Sequence, residues 1–381
     1  MKMDIQQESL KLHEKLKGKL EVRSKLPLKT RKDLSLAYTP GVAEPCRYIA
    51  KNKDDVYKYT FKSNTVAVIS DGSSVLGLGN IGAEASLPVM EGKSVLFKEF
   101  ANIDAFPICL SAQDVKKTIE TIKNIAPVFG GISLEDIKAP ECFEIEESLQ
   151  DLGIPVMHDD QHGTAVVVLA ALINSLKVTK KSNPKIVING AGAAGIAVAK
   201  LLLSYGLKNI ILCDSEGIIY GGRDNLNKYK KEIAEKTNKN NLKGFLSDAL
   251  KNSDVFIGVS KANLVSKEMV ESMNKSPIIM AMANPDPEIL PNVAKSAGAS
   301  IIATGRSDYP NQVNNVLAFP GIFRGALDIR AKRITEKMKI AAAEALANSI
   351  NPTSEAILPY ALDKSVVPRV AEAVKKAYLK D

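Results

Sequence analysis

Short apolar runs separated by helical patterns make up the first half of this chain. Apolar positions at helical spacing in Val115–Ile125 and Glu141–Leu149 predict helices. Strands that alternate with such helices indicate an α/β domain with a mostly parallel sheet. Five runs have the length and apolar content of strands: Thr65–Ser70, Ser94–Phe97, Ala105–Cys109, Gly131–Leu134 and Ile154–Met157.

A second series of the same kind follows after residue 185. A long apolar helix, from about Thr164 to Leu176, and a polar linker that ends at Pro184 separate the two series. The pattern is helical again beyond Arg330. Five further strands are predicted in this series: Ile186–Asn189, Ile210–Cys213, Val255–Val259, Ile278–Ala281 and Ile301–Ala303.

The first strand of the second series runs into a glycine-rich turn. The turn reads Gly-Ala-Gly-Ala-Ala-Gly, and an apolar helix from Ile196 to Ser204 follows it. Glycines here permit a tight turn and the close approach of a pyrophosphate, which the helix N-terminus attracts. The alternative is a tight strand–helix turn without a ligand. The residues predicted to bind a dinucleotide are Gly190, Gly192, Ala193, Ala194 and Gly195.

An acid at the end of the next strand supports this assignment. Asp214 follows Gly195 by 19 residues, the position of a carboxylate that accepts the ribose hydroxyls. Its charge favours NAD over NADP because it would repel a further phosphate, although Arg223 or a loop lysine could override that preference. A second Gly-x-Gly-x-x-Gly sequence, Gly77–Gly82, has neither a clear strand before it nor an apolar helix after it.

These patterns predict an α/β protein with two domains. Residues 1–160 form a smaller α/β domain with a helical arm and a mostly parallel sheet, and the acids and the resemblance described below make it the expected substrate and metal domain. Residues 161–330 form a Rossmann-type domain that binds NAD or NADP. Residues 331–381 are expected to be helices that pack back on the first domain.

Composition and charge exclude several classes of protein. The 381 residues are 45% hydrophobic and 25% charged, which is typical of globular domains. The net charge is +8, but only nine of the 51 basic residues are arginine, the residue preferred for base and phosphate contacts, so no nucleic-acid partner is predicted. The longest unbroken apolar run, Ala165–Ile173, is too short to span a membrane. Four scattered cysteines and a polar start predict the cytoplasm.

Three carboxylates stand where predicted strands end. Glu135 and Asp136 follow one strand, and Asp160 follows another. Polar side chains at the carboxyl ends of an open α/β sheet face the ligand crevice, and oxygen ligands without a nearby cysteine suit Mg²⁺ or Mn²⁺. A divalent-metal site is therefore predicted, with helix capping by acids as the alternative. His158 and His162 have the spacing of a zinc-hydrolase motif, but the strand and proline before them argue against a helix that carries both.

Several segments together resemble the malic enzymes, in particular the short prokaryotic form. The resemblance implies oxidative decarboxylation of L-malate to pyruvate and CO₂, with reduction of NAD or NADP and dependence on a divalent metal. It also suggests a homodimer, in which the amphipathic helix Ile5–Leu20 is a candidate for reaching across. The matching segments keep the family's order over nearly the whole chain: Tyr38–Ala43, Val75–Gly82, Pro88–Lys93, Leu134–Lys138, His158–Ala165, Asn189–Gly192, Ala283–Pro285 and Asn314–Gly321.

Carried over position by position, the resemblance implies a role for each site residue. Lys93 matches the general base and Tyr38 the general acid, although from composition alone they would be a surface lysine and a packed aromatic. Asn284 and Asn315 match residues that hold the substrate carboxylates near the nicotinamide. One position departs from the pattern: Ser74 stands where larger eukaryotic relatives have a carboxylate-binding arginine. The residues that match the metal ligands are Glu135, Asp136 and Asp160.

Two other functions stay open at this point. An amino-acid dehydrogenase could have a comparable crevice and lysine, but it needs no metal carboxylates. A non-catalytic nucleotide-binding regulator could keep the fold and would bind cofactor without turnover. Sensitivity of activity to EDTA separates the first of these from a malic enzyme.

Overall fold

The buried apolar runs form the strands of two separate sheets. The computed structural model describes residues 5–380. All but one of the strands consist largely of buried residues, as expected for parallel sheets covered by helices on both faces. The strands are β1 Thr65–Ser70, β2 Asp104–Cys109, β3 Gly131–Leu134, β4 Val156–His158, β5 Ile186–Asn189, β6 Ile210–Asp214, β7 Gly217–Ile218, β8 Val255–Gly258, β9 Ile278–Ala281 and β10 Ile301–Thr304.

The order of the strands defines two domains of the doubly wound type. The first sheet has the order β2-β1-β3-β4 and is parallel throughout. The second has the order β10-β9-β8-β5-β6-β7 and is parallel except for the short β7. In the second sheet successive strands are added on one side of β5 up to β7, and the later strands, from β8 onward, are added on its other side. Ligands of such sheets bind at this switch point, beyond the carboxyl ends of the strands.

Helices cover the sheets and connect the strands, as parallel pairing requires. They are α1 Ile5–Leu16, α2 Arg31–Ala37, α3 Ala43–Lys51, α4 Val56–Tyr59, α5 Gly82–Ala101, α6 Val115–Ile125, α7 Glu141–Ser148, α8 Asp159–Thr179, α9 Ala193–Tyr205, α10 Lys228–Lys236, α11 Leu246–Leu250, α12 Lys267–Glu271, α13 Pro291–Ser296, α14 Phe319–Asp328, α15 Glu336–Ala347 and α16 Val366–Tyr378.

The long helix α8 is the centre of the hydrophobic core. Its residues from Ala165 to Leu172 are buried on every side, and it packs against α9 and α15. Within residues 5–380 it is the one helix long and apolar enough to cross a membrane by length and composition, yet 67% of that stretch is buried inside the protein. Its apolar composition is that of a helix surrounded by other helices and sheets.

The C-terminal helices close the core on the side of the first domain. Helices α14 and α16 contact each other and α5, whereas α15 contacts α8 and α16. The ring of Phe97 on α5 lies 4.7 Å from that of Phe319 and 5.4 Å from that of Phe323, both on α14. These buried edge-to-face contacts join the chain beyond residue 318 to the N-terminal domain.

Most predicted elements are confirmed, and two predictions are wrong. Ser94–Phe97 is not a strand but part of α5, in which Met90, Ser94, Phe97 and Ala101 share one buried helix face. A four-residue apolar run is compatible with either structure, and here the longer helical repeat decides. The same helix begins at Gly82, so the second glycine motif does precede a helix.

The N-terminal segment buries none of its own residues. Between residues 5 and 61 every side chain is at least partly exposed. Several large apolar side chains on α1 and α2 face outward, among them Leu10, Leu16, Leu34 and Leu36. Exposed apolar residues in such number on well-formed helices are typical of a surface that another protein covers.

Candidate active site

A cavity of about 660 Å³ lies at the carboxyl ends of the strands of both sheets. Its volume is in the range of small-molecule sites. It brings together many of the predicted site residues, whereas Tyr38, Gly190, Gly195 and Asp214 do not line it. The predicted residues that line it are Lys93, Glu135, Asp136, Asp160, Gly192, Ala193, Ala194, Asn284 and Asn315.

The acids reach the cavity because the strands before them are neighbours in the sheet. Glu135 and Asp136 follow β3 directly, and Asp160 is the second residue of α8, which follows β4. Since β3 and β4 are parallel and paired, their carboxyl ends meet at one edge. The backbone N–H of Asp136 donates to Oδ2 of Asp160 at 2.8 Å, which joins the two segments.

Lys93 lies on α5 and points into this group of acids. Its Nζ is 3.1 Å from Oε2 of Glu135 and is hydrogen-bonded to Oδ2 of Asp159, which also accepts from Nδ2 of Asn315. The ammonium also lies over the ring of Phe319. Asp159 was not among the predicted site residues. Its position beside Asp160, at the start of a helix that follows a strand, was the signal that could have identified it.

The buried carboxylates raise one another's pKa values. Burial, and next the charge of Asp160, raises the pKa of Asp136 to about 7. Burial also raises the pKa of Glu135, although Lys93 opposes the effect. For Lys93 burial lowers the pKa, but Asp159 and Glu135 outweigh it, so the net shift is upward. The cluster carries more negative charge than Lys93 can balance, and a further cation would stabilise it.

The chemistry of these residues fits a divalent cation. Oδ2 of Asp136 and Oδ1 of Asp159 are buried and accept no hydrogen bond from the described residues. Carboxylate oxygens are the ligands that Mg²⁺ and Mn²⁺ prefer. Within residues 5–380, however, no three His, Cys, Asp or Glu side chains are arranged to hold an ion as they stand. Glu135 forms an ion pair with Lys93 and accepts a hydrogen bond from Ser133, so a metal would have to compete with these donors for its carboxylate.

The histidine pair does not form a zinc site. His158 is the residue before α8, and His162 lies in its first turn. Nε2 of His158 is 3.5 Å from Asp160, whereas Nε2 of His162 is 3.0 Å from Glu146 on α7. The two rings therefore have different partners and share no ligand position.

The glycine-rich turn has the geometry expected of a dinucleotide loop. Gly190 has a φ of +115°, and a Cβ on Gly195 would lie 1.7 Å from the carbonyl oxygen of Gly190. Neither position accepts a larger residue, because the turn must bring α9 tightly against β5. Gly192 and the first residues of α9 line the cavity, so the N-terminus of this helix faces the acid cluster.

Asp214 is already engaged by two cations. Both of its carboxylate oxygens accept from Arg223, at 3.0 and 2.6 Å, and Oδ2 also accepts from Nζ of Lys230 at 2.6 Å. Burial opposes the effect, but these hydrogen bonds lower the pKa of Asp214 to about 2. Nε of Arg223 is buried without a hydrogen-bond partner among the described residues. Arg223 and Lys230 reduce the repulsion on which the predicted preference for NAD was based.

Gly77, the first glycine of the second glycine motif, lines the cavity. A Cβ on Gly77 would lie 2.9 Å from the carbonyl oxygen of Asn284, so a glycine lets the loops of the two domains touch. On the same wall, the N–H of Ser74 donates to the carbonyl oxygen of Asp136 and the N–H of Lys138 donates to Oγ of Ser73, each at 2.9 Å. Lys138 therefore lies beside Ser74, where it too lines the cavity.

Tyr38 stands apart from the other predicted residues. It ends α2 in the exposed N-terminal segment, and 65% of its surface is accessible. Within a single copy of the chain it does not line the cavity that contains Lys93.

Comparison with known proteins identifies the family. The model of the malic enzyme NAD-binding domain matches residues 161–378, and the model of the malic enzyme N-terminal domain matches residues 17–116 and 111–150. The chain belongs to the malic enzyme family. It is 58% identical to the bifunctional malic/malolactic enzyme of Bacillus subtilis, over 98% of this chain and 93% of that protein. It is 55% identical to the NAD-dependent malic enzyme of Geobacillus stearothermophilus, over 94% of this chain and 76% of that protein.

Solved structures of malic enzymes have the same architecture. The NAD-dependent malic enzyme of Thermotoga maritima superimposes with a TM-score of 0.94 at 51% identity, over 96% of this chain and 98% of that one. The malic enzyme of Pyrococcus horikoshii superimposes with a TM-score of 0.95 at 48% identity, over 99% and 91%. The predicted two-domain α/β fold with a Rossmann-type domain is thereby confirmed.

Proposed function

We propose that this chain catalyses the NAD(P)-linked oxidative decarboxylation of L-malate to pyruvate and CO₂. The observation that carries the proposal is a single cavity in which Lys93 and the acids Glu135, Asp136 and Asp160 face the turn at Gly192. Membership of the malic enzyme family favours this reaction over the amino-acid dehydrogenase and the non-catalytic regulator.

The proposed reaction gives each residue a separate task. Lys93 accepts the proton of the C2 hydroxyl as the neutral amine, and Asp159 holds the lysine in place for it. Asp159 and Glu135 raise the pKa of Lys93, and the positive charge of a bound divalent cation would lower it and so release the lysine's own proton beforehand. A bound nicotinamide would accept the hydride from C2. A bound divalent cation would act as a Lewis acid at the oxygen of the C2 hydroxyl. Glu135, Asp136 and Asp160 would hold that cation. Tyr38 delivers a proton to C3 after the C3–C4 bond has broken.

We assign the substrate carboxylates to Asn284, Asn315 and Lys138. Malate is a dianion, and Lys93 and Lys138 are the lysines that line the described cavity. Lys93 is committed to Asp159 and Glu135. Among residues 5–380, Lys138 forms an ion pair only with the partly exposed Glu141, at 3.2 Å. Lys138 would thus supply the charge that Ser74 lacks.

Replacing Lys138 with methionine is expected to raise the KM for malate about tenfold or more, because a hydrogen bond to a charged group is lost. The kcat should change less, since Lys138 does not touch the reacting atoms. Steady-state kinetics at saturating Mn²⁺ and cofactor measure both. Lys117→Met, on the exposed face of α6, is the matched control. An unchanged KM in Lys138→Met would exclude this residue from the carboxylate site.

We propose that NAD is the main cofactor and that Arg223 also admits NADP. The guanidinium at Asp214 compensates the carboxylate charge and has a free buried Nε. The Geobacillus stearothermophilus relative is named NAD-dependent, and an Escherichia coli relative that is 48% identical is named NADP-dependent. The chain spans 52% of the length of the Escherichia coli protein.

Arg223→Met is expected to lower kcat/KM for NADP about tenfold more than kcat/KM for NAD, because a contact to a charged phosphate is stronger than one to a neutral hydroxyl. Initial rates with each cofactor give the ratio. Lys228→Met on α10, whose side chain is largely exposed, controls for loss of positive charge. Equal losses with both cofactors would show that Arg223 only supports Asp214.

We further propose a homodimer in which the N-terminal segment of one copy covers the other and brings Tyr38 to its site. The segment forms helices but buries none of its residues between 5 and 61, and its exposed leucines need a partner surface. Tyr38 is mostly exposed and lies outside the cavity of its own chain, so a second copy can supply it.

The proposed compartment is the cytoplasm. The four cysteines, Cys46, Cys109, Cys142 and Cys213, are free thiols, as is usual for proteins of a reducing compartment.

Incubation with L-malate, Mn²⁺ and NAD or NADP tests the whole proposal. We expect reduced cofactor and CO₂ in equal amounts, with pyruvate as the product, and loss of activity with EDTA that Mn²⁺ restores. Absorbance, CO₂ release and chromatography of pyruvate are followed together. Activity that survives EDTA would favour a metal-independent dehydrogenase, and cofactor binding without turnover would favour a regulator.

A further inference from the structure

A second, smaller cavity of about 210 Å³ lies behind the start of α8, outside the candidate active site. It is lined by residues of α7, α8, α9 and α15, so it stands where both domains and the C-terminal helices meet. A chain of polar side chains crosses it: Glu146, His162, Lys339 and Glu336. None of these residues has a part in the reaction proposed above.

The hydrogen bonds along this chain are continuous. Nε2 of His162 is 3.0 Å from Oε2 of Glu146, and Nδ1 of His162 is 3.1 Å from Nζ of Lys339. Nζ of Lys339 donates to Glu336 at 2.8 Å. An ammonium group can only donate, so Nδ1 of His162 accepts and Nε2 carries the hydrogen that Glu146 receives. The imidazole thus links α7 to α15 through one donor and one acceptor.

Glu146 fixes the first turn of α8 at several points. Its Oε1 accepts the backbone N–H of His158 at 2.9 Å, and its Oε2 accepts from Gln161 at 3.1 Å as well as from His162. The side chain of His158, the residue before the helix, makes no capping hydrogen bond. A buried carboxylate from another helix therefore holds the turn that a local cap would otherwise hold.

The same turn carries two acids of the candidate active site. Asp159 contacts Lys93 and Asn315, and Asp160 accepts from the backbone of Asp136. The side chains of Asp159 and Asp160 face Lys93 and the large cavity. Those of Gln161 and His162 are hydrogen-bonded to Glu146 on the opposite side of the turn. A shift of this turn by a fraction of an ångström would move both acids at once.

We propose that Glu146, His162 and Lys339 are positioning residues that set the place of Asp159 and Asp160 by anchoring the first turn of α8 to α7 and α15. This inference rests on the function proposed above, in which Asp160 holds a divalent cation and Asp159 orients Lys93. The network predicts that damage to His162 weakens metal binding and turnover without weakening cofactor binding.

The test compares His162→Leu with His162→Gln. Leucine removes both hydrogen bonds, whereas the glutamine amide keeps one donor for Glu146 and one acceptor for Lys339. We expect His162→Leu to weaken Mn²⁺ binding and lower kcat by about 10- to 100-fold each, as for residues that orient metal ligands. We expect His162→Gln to stay within about a few-fold of the unmodified protein, and the KM for NAD to be unchanged in both. Mn²⁺ binding is measured by electron paramagnetic resonance of the free ion, without malate or cofactor.

Glu146→Gln and Glu147→Gln form a second pair. Each removes one carboxylate from α7, but only Glu146 touches the network, because Glu147 is largely exposed and lies 4.0 Å from Lys228. Lys339→Met removes the donor to His162 and shortens the unbranched side chain by one heavy atom. We expect Glu146→Gln and Lys339→Met to weaken Mn²⁺ binding and Glu147→Gln to leave it unchanged.

The results test the positioning role and the proposed function separately. Mn²⁺ affinity and kcat in His162→Leu, Glu146→Gln and Lys339→Met equal to those of Glu147→Gln would overturn the positioning role. A loss of equal size in His162→Leu and His162→Gln would overturn it as well, since the donor and acceptor would then be irrelevant. If the unmodified protein binds Mn²⁺ but does not oxidise malate, the proposed function fails, and the Mn²⁺ affinities of the variants still decide the positioning role. Absence of Mn²⁺ binding in the unmodified protein would overturn both.

Discussion

Replacing Lys93 with methionine is expected to lower kcat for malate oxidation by about 10³-fold, within the range for loss of a general base. Lys93 is the cation at the centre of the acid cluster, in contact with Asp159 and 3.1 Å from Glu135. Methionine is similar in size and shape but accepts no proton, so hydride transfer would have to proceed with no base to take up the hydroxyl proton. Stopped-flow and steady-state measurements of cofactor reduction give the effect.

The fold and the cofactor site should survive this change. The side chain of Lys93 lies on α5 against the ring of Phe319, an environment that accepts methionine. Lys98→Met on the same helix removes an exposed lysine that pairs with Asp104, and it serves as the control. Circular dichroism and the affinity for NAD are expected to match those of the unmodified protein. A kcat near normal in Lys93→Met would remove this residue from the chemistry.

Replacing Tyr38 with phenylalanine is expected to lower turnover by about 10²- to 10⁴-fold, the usual effect of losing a general acid. Protonation at C3 should suffer more than hydride transfer, because the phenol acts only after the carbon–carbon bond has broken. Cofactor reduction in the first turnover, compared with pyruvate release in later turnovers, separates the two steps. If turnover and the ratio of cofactor reduction to pyruvate release are both unchanged, Tyr38 is not the general acid.

Mixing two inactive variants tests where Tyr38 acts. If Tyr38 serves the partner's site, a dimer of one Tyr38→Phe chain and one Lys93→Met chain contains one intact site and one doubly altered site. Random exchange of subunits should then restore about a quarter of normal activity, since half of the dimers are mixed and each has one working site. If Tyr38 serves its own chain, every site keeps one defect and no activity returns.

The positions of the strands and of the cofactor turn could be predicted because they depend on local pattern. Thr65–Ser70, with the apolar run Val66–Ile69 at its centre, and the apolar run Ile278–Ala281 form strands with these same bounds. The turn at Gly190 combines a strand, three glycines and a helix within a short stretch of chain. The run Ser94–Phe97 failed because four residues do not distinguish a strand from one face of a long helix.

The partners of the site residues could not be predicted, because they come from distant parts of the chain. Asp214 was correctly located at the end of β6, and Arg223 or a loop lysine was named as a residue that could offset its charge. The local pattern did not indicate that Arg223 contacts both carboxylate oxygens, or that the lysine is Lys230 of α10. The burial of an ion pair depends on how loops fold over a strand end, which has no local signature.

The sequence by itself determined the order of strands and helices, the cofactor turn, and the acids that follow β3 and begin α8. Steric preference and apolar spacing act between residues close in the chain, which is why these features have a local signature. Tertiary structure alone decided that Lys93 enters the acid cluster, that Glu146 and Lys339 hold the first turn of α8, and that Tyr38 lies outside the cavity of its own chain. These contacts join residues that are far apart in sequence, and they form only when the packing of whole helices and sheets brings them together.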